Sequence, residues 1–429
     1  MKVIKNPLKT NWSEFTKRPE IERNQLNQIV SDIMSNVKEN GDQAIYEYTA
    51  QFDKAKLSSL LVTDKEMDSA KSIVPKELKD AIEVAKRNIE IFHKSQKSNE
   101  SVVETTLGVQ CWRKSVGIEK VGLYIPGGSA PLFSTILMLA IPAKIAGCSE
   151  IILCTPPDSN GEINPAILYT ASLVGVTRIF KAGGAQAIAA MAYGTETVPQ
   201  VYKIFGPGNQ FVTKAKELAQ QNGVAIDMPA GPSEVLVIAD ETCNPSFVAS
   251  DLLSQAEHGA DSQVTLLSNN EEVIAQVNKE LEKQVVELPR SEIAQQALSN
   301  SRSILLNDKS DCIEYSNQYA PEHLIIASDN PDEYIDQIVN AGSVFLGNYS
   351  CESAGDYASG TNHTLPTNGF ARNHSGVSLD SFVKKITFQK INEIGIKNIG
   401  PSIEIMAEAE QLFAHKNAVT LRLKEIQND

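Results

Sequence analysis

A short motif near the middle of the chain contains the side-chain types of a metal site: Gln255-Ala256-Glu257-His258-Gly259. Gln255 and His258 are three residues apart, so on a helix both side chains lie on one face. Histidine is a common zinc ligand, whereas a glutamine oxygen is an uncommon and weak one, so further ligands must come from elsewhere in the chain. The alternative is a solvated helix face whose histidine is favoured by the helix C-terminal dipole. Spacing alone favours neither interpretation.

The residues that flank this motif predict the helix that carries it. Asn244 is a helix-capping type, Pro245 suits the first helical position, and Gly259 suits the left-handed residue just past a helix end. The sequence therefore predicts a helix between these limits, with Asp251 on the same polar stripe as the glutamine and the histidine.

Two more regions contain residues that could complete a metal site. Asp356 and His363 fall in a Gly/Ser-rich stretch directly after a predicted strand, and long loops in compact domains are often functional. The alternative is a solvent loop in which neither residue has a role. His415 lies on a predicted C-terminal helix. It is an ordinary surface histidine unless that helix reaches back to its own domain or across to a second subunit.

Glu322 and His323 offer acid–base chemistry, because each side chain is of a type that acts as a general base. They directly precede the apolar run at residues 324–327, and in an extended chain their side chains point in opposite directions. Two different proton transfers are therefore within their reach. For an isolated Glu-His pair, a capping glutamate and a half-buried histidine is the simpler interpretation.

The surrounding elements predict an α/β protein. Residues 21–51 and 76–97 have helical periodicity, and from residue 121 short apolar runs alternate with helical stretches, which is typical of parallel sheets. The predicted strands form a first set at 121–125, 150–156, 177–181 and 203–205 and a second set at 235–239, 264–268, 303–307, 324–327 and 344–347. A short strand at 385–389 and one long helix at 404–426 end the chain.

We therefore predict two Rossmann-like α/β domains with a helical N-terminal segment and a C-terminal helical arm. Residues 1–20 form an N-terminal arm, and residues 21–120 and 233–376 form the two parts of domain 1. Residues 121–232 form domain 2, inserted between those parts, and residues 377–429 form the C-terminal arm.

Three predicted strands are followed by a glycine turn and then a helix: Pro126-Gly127-Gly128, Gly183-Gly184 and Gly206-Pro207-Gly208-Asn209. Such turns can aim backbone N–H groups outward, towards a phosphate or a dinucleotide. No GxGxxG fingerprint with a following ribose-binding carboxylate occurs, so the usual Rossmann argument does not apply.

Composition limits the class of partner. The formal net charge of −14 argues against a nucleic-acid or anionic-membrane partner, since both attract basic surfaces. The N-terminus has no signal-peptide core, and the apolar stretch at 132–148 contains polar residues and a proline, so it predicts a buried helix rather than a membrane span. Six widely spaced cysteines predict reduced thiols. We expect a cytoplasmic protein with a small-molecule ligand.

Seven motifs, in order along nearly the whole chain, resemble those of the histidinol dehydrogenase family. They are Val121-Gly-Leu-Tyr-Ile-Pro-Gly-Gly-Ser-Ala-Pro-Leu132, Gly183-Gly-Ala-Gln-Ala187, Phe205-Gly-Pro-Gly-Asn209, Pro229-Ala-Gly-Pro-Ser-Glu234, Ser254-Gln-Ala-Glu-His-Gly259, Ala320-Pro-Glu-His-Leu324 and Ala414-His-Lys-Asn-Ala418. The resemblance implies a zinc-requiring enzyme that oxidises L-histidinol through the aldehyde to L-histidine with two NAD⁺, as the last step of histidine biosynthesis.

The resemblance also implies roles for individual residues, including those discussed above. The implied zinc ligands, which also contact the substrate, are Gln255, His258, Asp356 and His415, the last supplied by the partner subunit of a homodimer. His323 takes protons from the alcohol and the hydrated aldehyde and contacts the substrate, while Glu322 activates the water that forms the hydrate. The remaining implied substrate contacts are Ser233, His363 and Glu410, and the implied NAD contacts are Tyr124, Gln186 and Asn209.

Three other interpretations remain open at this point. The same His, Asp and Glu set would serve a zinc hydrolase that uses Glu322 with metal-bound water, and the fold would also serve a binding protein without catalysis. A thiohemiacetal route would need a nucleophilic cysteine, for which Cys111 and Cys148 are the thiols to consider. Neither cysteine neighbours a histidine or an activating motif.

Overall fold

The computed structural model describes residues 1–18, 23–98, 100–127, 131–229 and 231–428. Two compact units emerge: the first comprises Met1–Gln96 and Ile118–Phe382, and the second comprises Lys97–Gly117 and Val383–Asp429. The predicted arm boundary at residue 20 and Gly128 of the first glycine turn lie outside the described residues. The predicted domain boundaries stay predictions.

The described strands, in chain order, are β1 (Lys2–Lys5), β2 (Val103–Thr106), β3 (Val109–Gly117), β4 (Lys120–Tyr124), β5 (Glu150–Thr155), β6 (Arg178–Lys181), β7 (Lys203–Phe205), β8 (Ala225–Ile226), β9 (Glu234–Ala239), β10 (Gln263–Ser268), β11 (Arg302–Leu305), β12 (His323–Ala327), β13 (Ser343–Leu346) and β14 (Val383–Ile391).

The described α-helices are α1 (Trp12–Phe15), α2 (Arg23–Tyr48), α3 (Asp64–Ile73), α4 (Lys76–Ser95), α5 (Phe133–Ala146), α6 (Pro165–Val174), α7 (Gly184–Tyr193), α8 (Gln210–Gln221), α9 (Pro245–Ala256), α10 (Glu271–Val285), α11 (Ser291–Ser299), α12 (Lys309–Tyr319), α13 (Glu352–Tyr357), α14 (Glu393–Ala409) and α15 (Phe413–Asn428). Short 3-10 helices cover Lys9–Asn11, Pro331–Gln337, Phe370–Arg372 and Leu379–Phe382, and a π-helical turn covers Thr49–Asp53.

The first unit contains a five-stranded parallel sheet with the order β6-β5-β4-β7-β8. Strand residues such as Leu123 and Ile152 are fully buried and belong to separate apolar clusters, as expected for a parallel sheet covered on both faces. The chain runs outward from β4 to β6 and then returns to β7 on the other side of β4. The carboxyl ends of β4 and β7 thus form a switch point, the place where parallel α/β sheets bind ligands.

The first unit also contains a six-stranded parallel sheet with the order β1-β11-β10-β9-β12-β13. Every residue of the central strand β9 is buried, and its side chains alternate between two apolar clusters. Because β12 pairs with β9, the amino ends of these two strands bring Glu234 next to Glu322 and His323. The predicted mixed α/β architecture with parallel sheets is confirmed.

Two local predictions are wrong, and a third is confirmed with different bounds. The C-terminal helix predicted at 404–426 is two helices, α14 and α15, separated by a break in which Gln411 has φ +61°. The predicted loop after β13 contains the short helix α13. In the second unit, the strand predicted at 385–389 is longer: β14 pairs along its whole length with β3 in an antiparallel sheet that also includes β2.

The apolar stretch predicted as a buried helix is α5, whose central residues are all buried. Among the described residues, no helix is long and apolar enough to cross a membrane.

Candidate active site

Helix α9 carries the first motif much as its flanking residues predict. The Asn244 side chain accepts a hydrogen bond from the Ser246 N–H, and Pro245 is the first helical residue. The end differs: α9 stops at Ala256, and Gly259 does not adopt a left-handed conformation. His258 therefore follows the helix in a turn instead of lying within it.

The polar stripe on α9 is buried, so the predicted alternative of a solvated face is wrong for two of its three members. Gln255 is 1% exposed and Asp251 is also buried, whereas His258 is exposed. The Gln255 Oε1 atom is buried and has no hydrogen-bond partner among the described residues. A buried oxygen without a partner is costly unless something binds it.

His258 lies next to two carboxylates from α13, Glu352 and Asp356. One ligand atom from each of these three residues lies within 4.8 Å of the others. Imidazole and carboxylate are donors that Zn²⁺ prefers, and the unpartnered Gln255 oxygen lies on the helix that leads to His258. The chemistry of these donors fits a divalent cation.

Glu352 is the residue of this site that sequence reasoning missed. Its carboxyl is buried, Oε1 lies 3.9 Å from His323 Nδ1, and Oε2 has no hydrogen-bond partner among the described residues. Burial raises the pKa of Glu352 to about 8. Burial also raises the pKa of Asp251 on α9, to about 7. The spacing of Glu352 and Asp356 would have indicated one helix face, had the Gly/Ser-rich segment not predicted a loop.

The geometry of His323 suits a general base. Its Nδ1 donates a 3.1 Å hydrogen bond to the Glu234 carbonyl, so Nε2 is the ring nitrogen that gains or loses a proton. Nε2 is buried without a hydrogen-bond partner, and the Asp356 Oδ1 atom is 3.7 Å away. Burial alone would lower the pKa of His323, but the carboxylates of Glu352 and Glu322 outweigh it and raise this pKa. Proton uptake at Nε2 is thereby favoured.

Glu322 is hydrogen-bonded to Glu234, the residue that also binds His323. Its Oε2 accepts a 2.8 Å hydrogen bond from the Glu234 N–H and lies 3.8 Å from His323 Nδ1. The prediction that these two side chains point in opposite directions is therefore wrong, because Glu322 precedes β12 and is not bound by strand alternation. Burial raises the pKa of Glu322 to about 7, so its carboxyl exchanges a proton near neutral pH.

Two predicted substrate contacts lie in the first unit. Ser233 is half-buried directly before β9. His363 is also half-buried, and both of its ring nitrogens are engaged: Nδ1 lies 2.9 Å from the Asp356 carbonyl and Nε2 lies 3.1 Å from Thr135 Oγ1. His363 therefore joins the segment after α13 to helix α5.

The predicted NAD contacts follow strands of the five-stranded sheet. Tyr124 ends β4, and its hydroxyl accepts a 3.0 Å hydrogen bond from the Gly184 N–H. Gln186 is buried on α7, and the Asn209 side-chain oxygen caps α8. The prediction of outward N–H groups is wrong at Gly184 and also at Gly206, whose N–H donates to a carboxylate within the protein. The backbone amides of Gly184 and Gly206 are therefore engaged within the protein and are not directed at a ligand.

Glu410 and His415 belong to the second unit. Both side chains are exposed: Glu410 directly follows α14, and His415 lies in α15. Their membership of the active site stays a prediction.

The cysteines are all free. Burial raises the pKa of the Cys148 thiol to about 11, which disfavours the nucleophilic thiolate that a thiohemiacetal needs. Cys111 lies on β3 in the second unit.

Comparisons with known proteins show the family to which this chain belongs. Residues 16–423 match the profile of the family described as histidinol dehydrogenase. Histidinol dehydrogenase from Bacteroides thetaiotaomicron is 61% identical over 426 residues, covering 99% of this chain and 100% of the relative. That from Escherichia coli O157:H7 is 54% identical over 416 residues, covering 96% and 95%. A crystal structure of histidinol dehydrogenase from Elizabethkingia anophelis has a TM-score of 0.98 and 60% identity, covering 100% of this chain and 99% of that one.

Proposed function

The chain belongs to the histidinol dehydrogenase family of oxidoreductases, which act in histidine biosynthesis, and we propose that it oxidises L-histidinol through L-histidinal to L-histidine with NAD⁺ and zinc. The observation that carries this proposal is the arrangement of His323. Its Nδ1 is fixed by a backbone carbonyl and its buried Nε2 has no hydrogen-bond partner among the described residues, so Nε2 is the ring nitrogen that can exchange a proton with the substrate.

His323 acts as the base in both oxidations. Nε2 removes the hydroxyl proton of the alcohol while the carbon that bears this hydroxyl loses a hydride, and it repeats this with the hydrated aldehyde. When bound beside this site, NAD⁺ would supply the hydride acceptor for each of the two oxidations, which corresponds to two NADH per histidine. The carboxylates around His323 stabilise the imidazolium that results from each proton transfer.

Glu322 prepares the second oxidation. A carboxyl with a pKa near 7 can take a proton from water at neutral pH, and the water then adds to the aldehyde carbon. The Glu234 N–H holds Oε2 and leaves the second carboxylate oxygen for the water.

We assign Gln255, His258 and Asp356 to the zinc ion, with His415 of a second subunit as the fourth ligand. Zinc is redox-inert and would supply Lewis-acid anchoring of the substrate when bound. The unpartnered oxygen of Gln255 and the adjacent donors of His258 and Asp356 support this assignment.

The remaining assignments follow the family. Ser233, Glu410 and His363 contact the substrate. Tyr124, Gln186 and Asn209 contact NAD⁺, and their location near the carboxyl ends of the five-stranded sheet supports this role. We propose a homodimer in the cytoplasm.

The direct test is NADH formation from L-histidinol. The purified chain, loaded with zinc, is expected to release two NADH per L-histidine, measured at 340 nm together with product analysis. His323→Asn should abolish both oxidations, whereas Glu322→Gln should impair oxidation of L-histidinal more than that of L-histidinol. Hydrolysis without NADH, or binding without turnover, would refute the proposed function.

The subunit arrangement has its own test. His258→Ala and His415→Ala subunits, each inactive alone, are mixed and allowed to exchange. If one site takes His415 from the other subunit, mixed dimers contain one intact site and regain part of the activity. No recovery despite verified subunit exchange would contradict ligation across subunits.

A further inference from the structure

The turn between β7 and α8, residues 205–209, lies at the switch point of the five-stranded sheet. Its second residue, Gly206, has φ +128°, and a Cβ there would lie 2.1 Å from the Tyr124 carbonyl oxygen. The turn is thus pressed directly against the end of β4. Asn209 closes the turn by capping α8, so the position of its side chain depends on the path of the backbone through Gly206.

A buried ion pair holds Gly206 from both sides. The Asp227 Oδ2 atom accepts a 2.8 Å hydrogen bond from the Gly206 N–H, and Lys216 Nζ donates a 2.9 Å hydrogen bond to the Gly206 carbonyl. Lys216 and Asp227 also pair with each other, and their side chains are 4% and 1% exposed. Neither charged group is therefore available to contact a ligand itself.

Stability alone explains this arrangement poorly. Desolvating two charges is expensive, and apolar residues of similar volume often stabilise a fold at least as well. The ion pair instead fixes the orientation of the backbone at Gly206, because charge-assisted hydrogen bonds hold both its N–H and its C=O. That residue stands between Tyr124 and Asn209, two of the residues assigned to NAD⁺.

We propose that Lys216 and Asp227 are positioning residues for dinucleotide binding, which hold the 205–209 turn in the conformation that NAD⁺ requires. This inference rests on the proposed function, because it assumes that the switch point binds NAD⁺. The pair acts through the backbone of Gly206 and touches neither the substrate nor the reacting atoms.

Lys216→Met tests the inference, with calorimetric titration of NAD⁺ and steady-state kinetics as readouts. The Kd and KM for NAD⁺ should rise about tenfold, the equivalent of roughly one hydrogen bond. The kcat at saturating NAD⁺ and the KM for L-histidinol should stay within about twofold of wild type, because the active site at β9 and β12 is not altered. Asp227→Asn, which keeps an acceptor but removes the charge, should shift NAD⁺ binding in the same direction.

Lys181→Met is the matched control. Lys181 is also buried in this sheet, donates a 2.8 Å hydrogen bond to the Gly161 carbonyl and pairs with Glu66, but it does not contact the 205–209 turn. It should lower the unfolding midpoint comparably and leave NAD⁺ affinity unchanged.

Two outcomes would overturn the positioning role. One is wild-type NAD⁺ affinity in both Lys216→Met and Asp227→Asn, and the other is an equal loss of NAD⁺ and L-histidinol affinity that follows the unfolding midpoint. A wild-type chain that binds NAD⁺ but forms no NADH from L-histidinol would instead count against the proposed function, and the NAD⁺ titrations would still decide the role of the pair.

Discussion

Replacing Arg18 with methionine is expected to lower both stability and turnover, because Arg18 anchors the residue that holds the two proposed bases. Arg18 Nε and Nη2 each donate a 2.8 Å hydrogen bond to the Glu234 carboxylate, and the guanidinium lies 3.8 Å from the centroid of the Tyr319 ring. Glu234 in turn binds Glu322 through its N–H and His323 through its carbonyl.

The size of the effect follows from burial. The Arg18 and Glu234 side chains are 10% and 1% exposed, and removing one partner of a buried pair costs about 3–5 kcal/mol. Because the Asn368 N–H still donates to Glu234 Oε1, we expect about 3 kcal/mol, the lower end of that range. A displacement of the Glu322–His323 pair should reduce kcat about tenfold, or about 1.4 kcal/mol in the activation barrier.

Urea unfolding and steady-state kinetics at one fixed protein concentration measure both effects. Lys309→Met is the control. Lys309 donates a hydrogen bond to Asp240, a buried residue directly after β9, but the Lys309 side chain is 39% exposed and does not touch Glu234. That variant should lose about 1 kcal/mol or less and keep its kcat. Equal stability losses in the two variants, or an unchanged kcat in Arg18→Met, would refute the reasoning.

Three further predictions concern single side chains. Gly206→Ala should lower the unfolding midpoint more than Gly223→Ala, because both glycines have positive φ but only the new Cβ at 206 meets a backbone atom, the Tyr124 carbonyl oxygen; equal midpoints would contradict the clash. Burial raises the pKa of Asp53 from 3.8 to about 6. A raised folded-state pKa gives a stability contribution that is full below about pH 4 and is lost as the pH rises through 6. The unfolding free energy of wild type should therefore fall relative to that of Asp53→Asn between these pH values. Parallel curves of unfolding free energy against pH would argue against this contribution. Gln255→Met should reduce the zinc retained per subunit after dialysis without lowering the stability of the metal-free protein, since Oε1 makes no hydrogen bond among the described residues; unchanged zinc content would remove Gln255 from the ligand set.

Part of this molecule follows from local sequence. The short runs at 203–205 and 235–239 predict β7 and β9 to within one residue, because a strand buried on both faces is mostly apolar. Asn244 and Pro245 likewise predict the start of α9, since capping involves only neighbouring residues. The types and order of the chemical groups, and with them the resemblance to one family, are also properties of the sequence.

Other local features could not be predicted from the sequence, because their residue patterns are weak or favour more than one structure. β1 is a four-residue edge strand with lysine at both ends, which has no apolar run to mark it. The break between α14 and α15 depends on a left-handed conformation at Gln411, which glutamine rarely adopts and which its residue type therefore does not predict. The glycine and serine residues around α13 predict a loop instead of a helix, so Glu352 was not identified as a site residue.

Which chemical groups this protein has, and which segments carry them, can be read from the amino-acid sequence. Which of these groups come into contact, and which are excluded from water, depends on the fold. Arg18 and Glu234 are 216 residues apart, and nothing in either segment indicates that one guanidinium steadies the backbone beneath Glu322 and His323. The spacing of Gln255 and His258 fits a solvated stripe as well as a metal site. Periodicity reports the average burial of a face, whereas the partner of a single buried atom depends on strands and helices that approach from elsewhere in the chain.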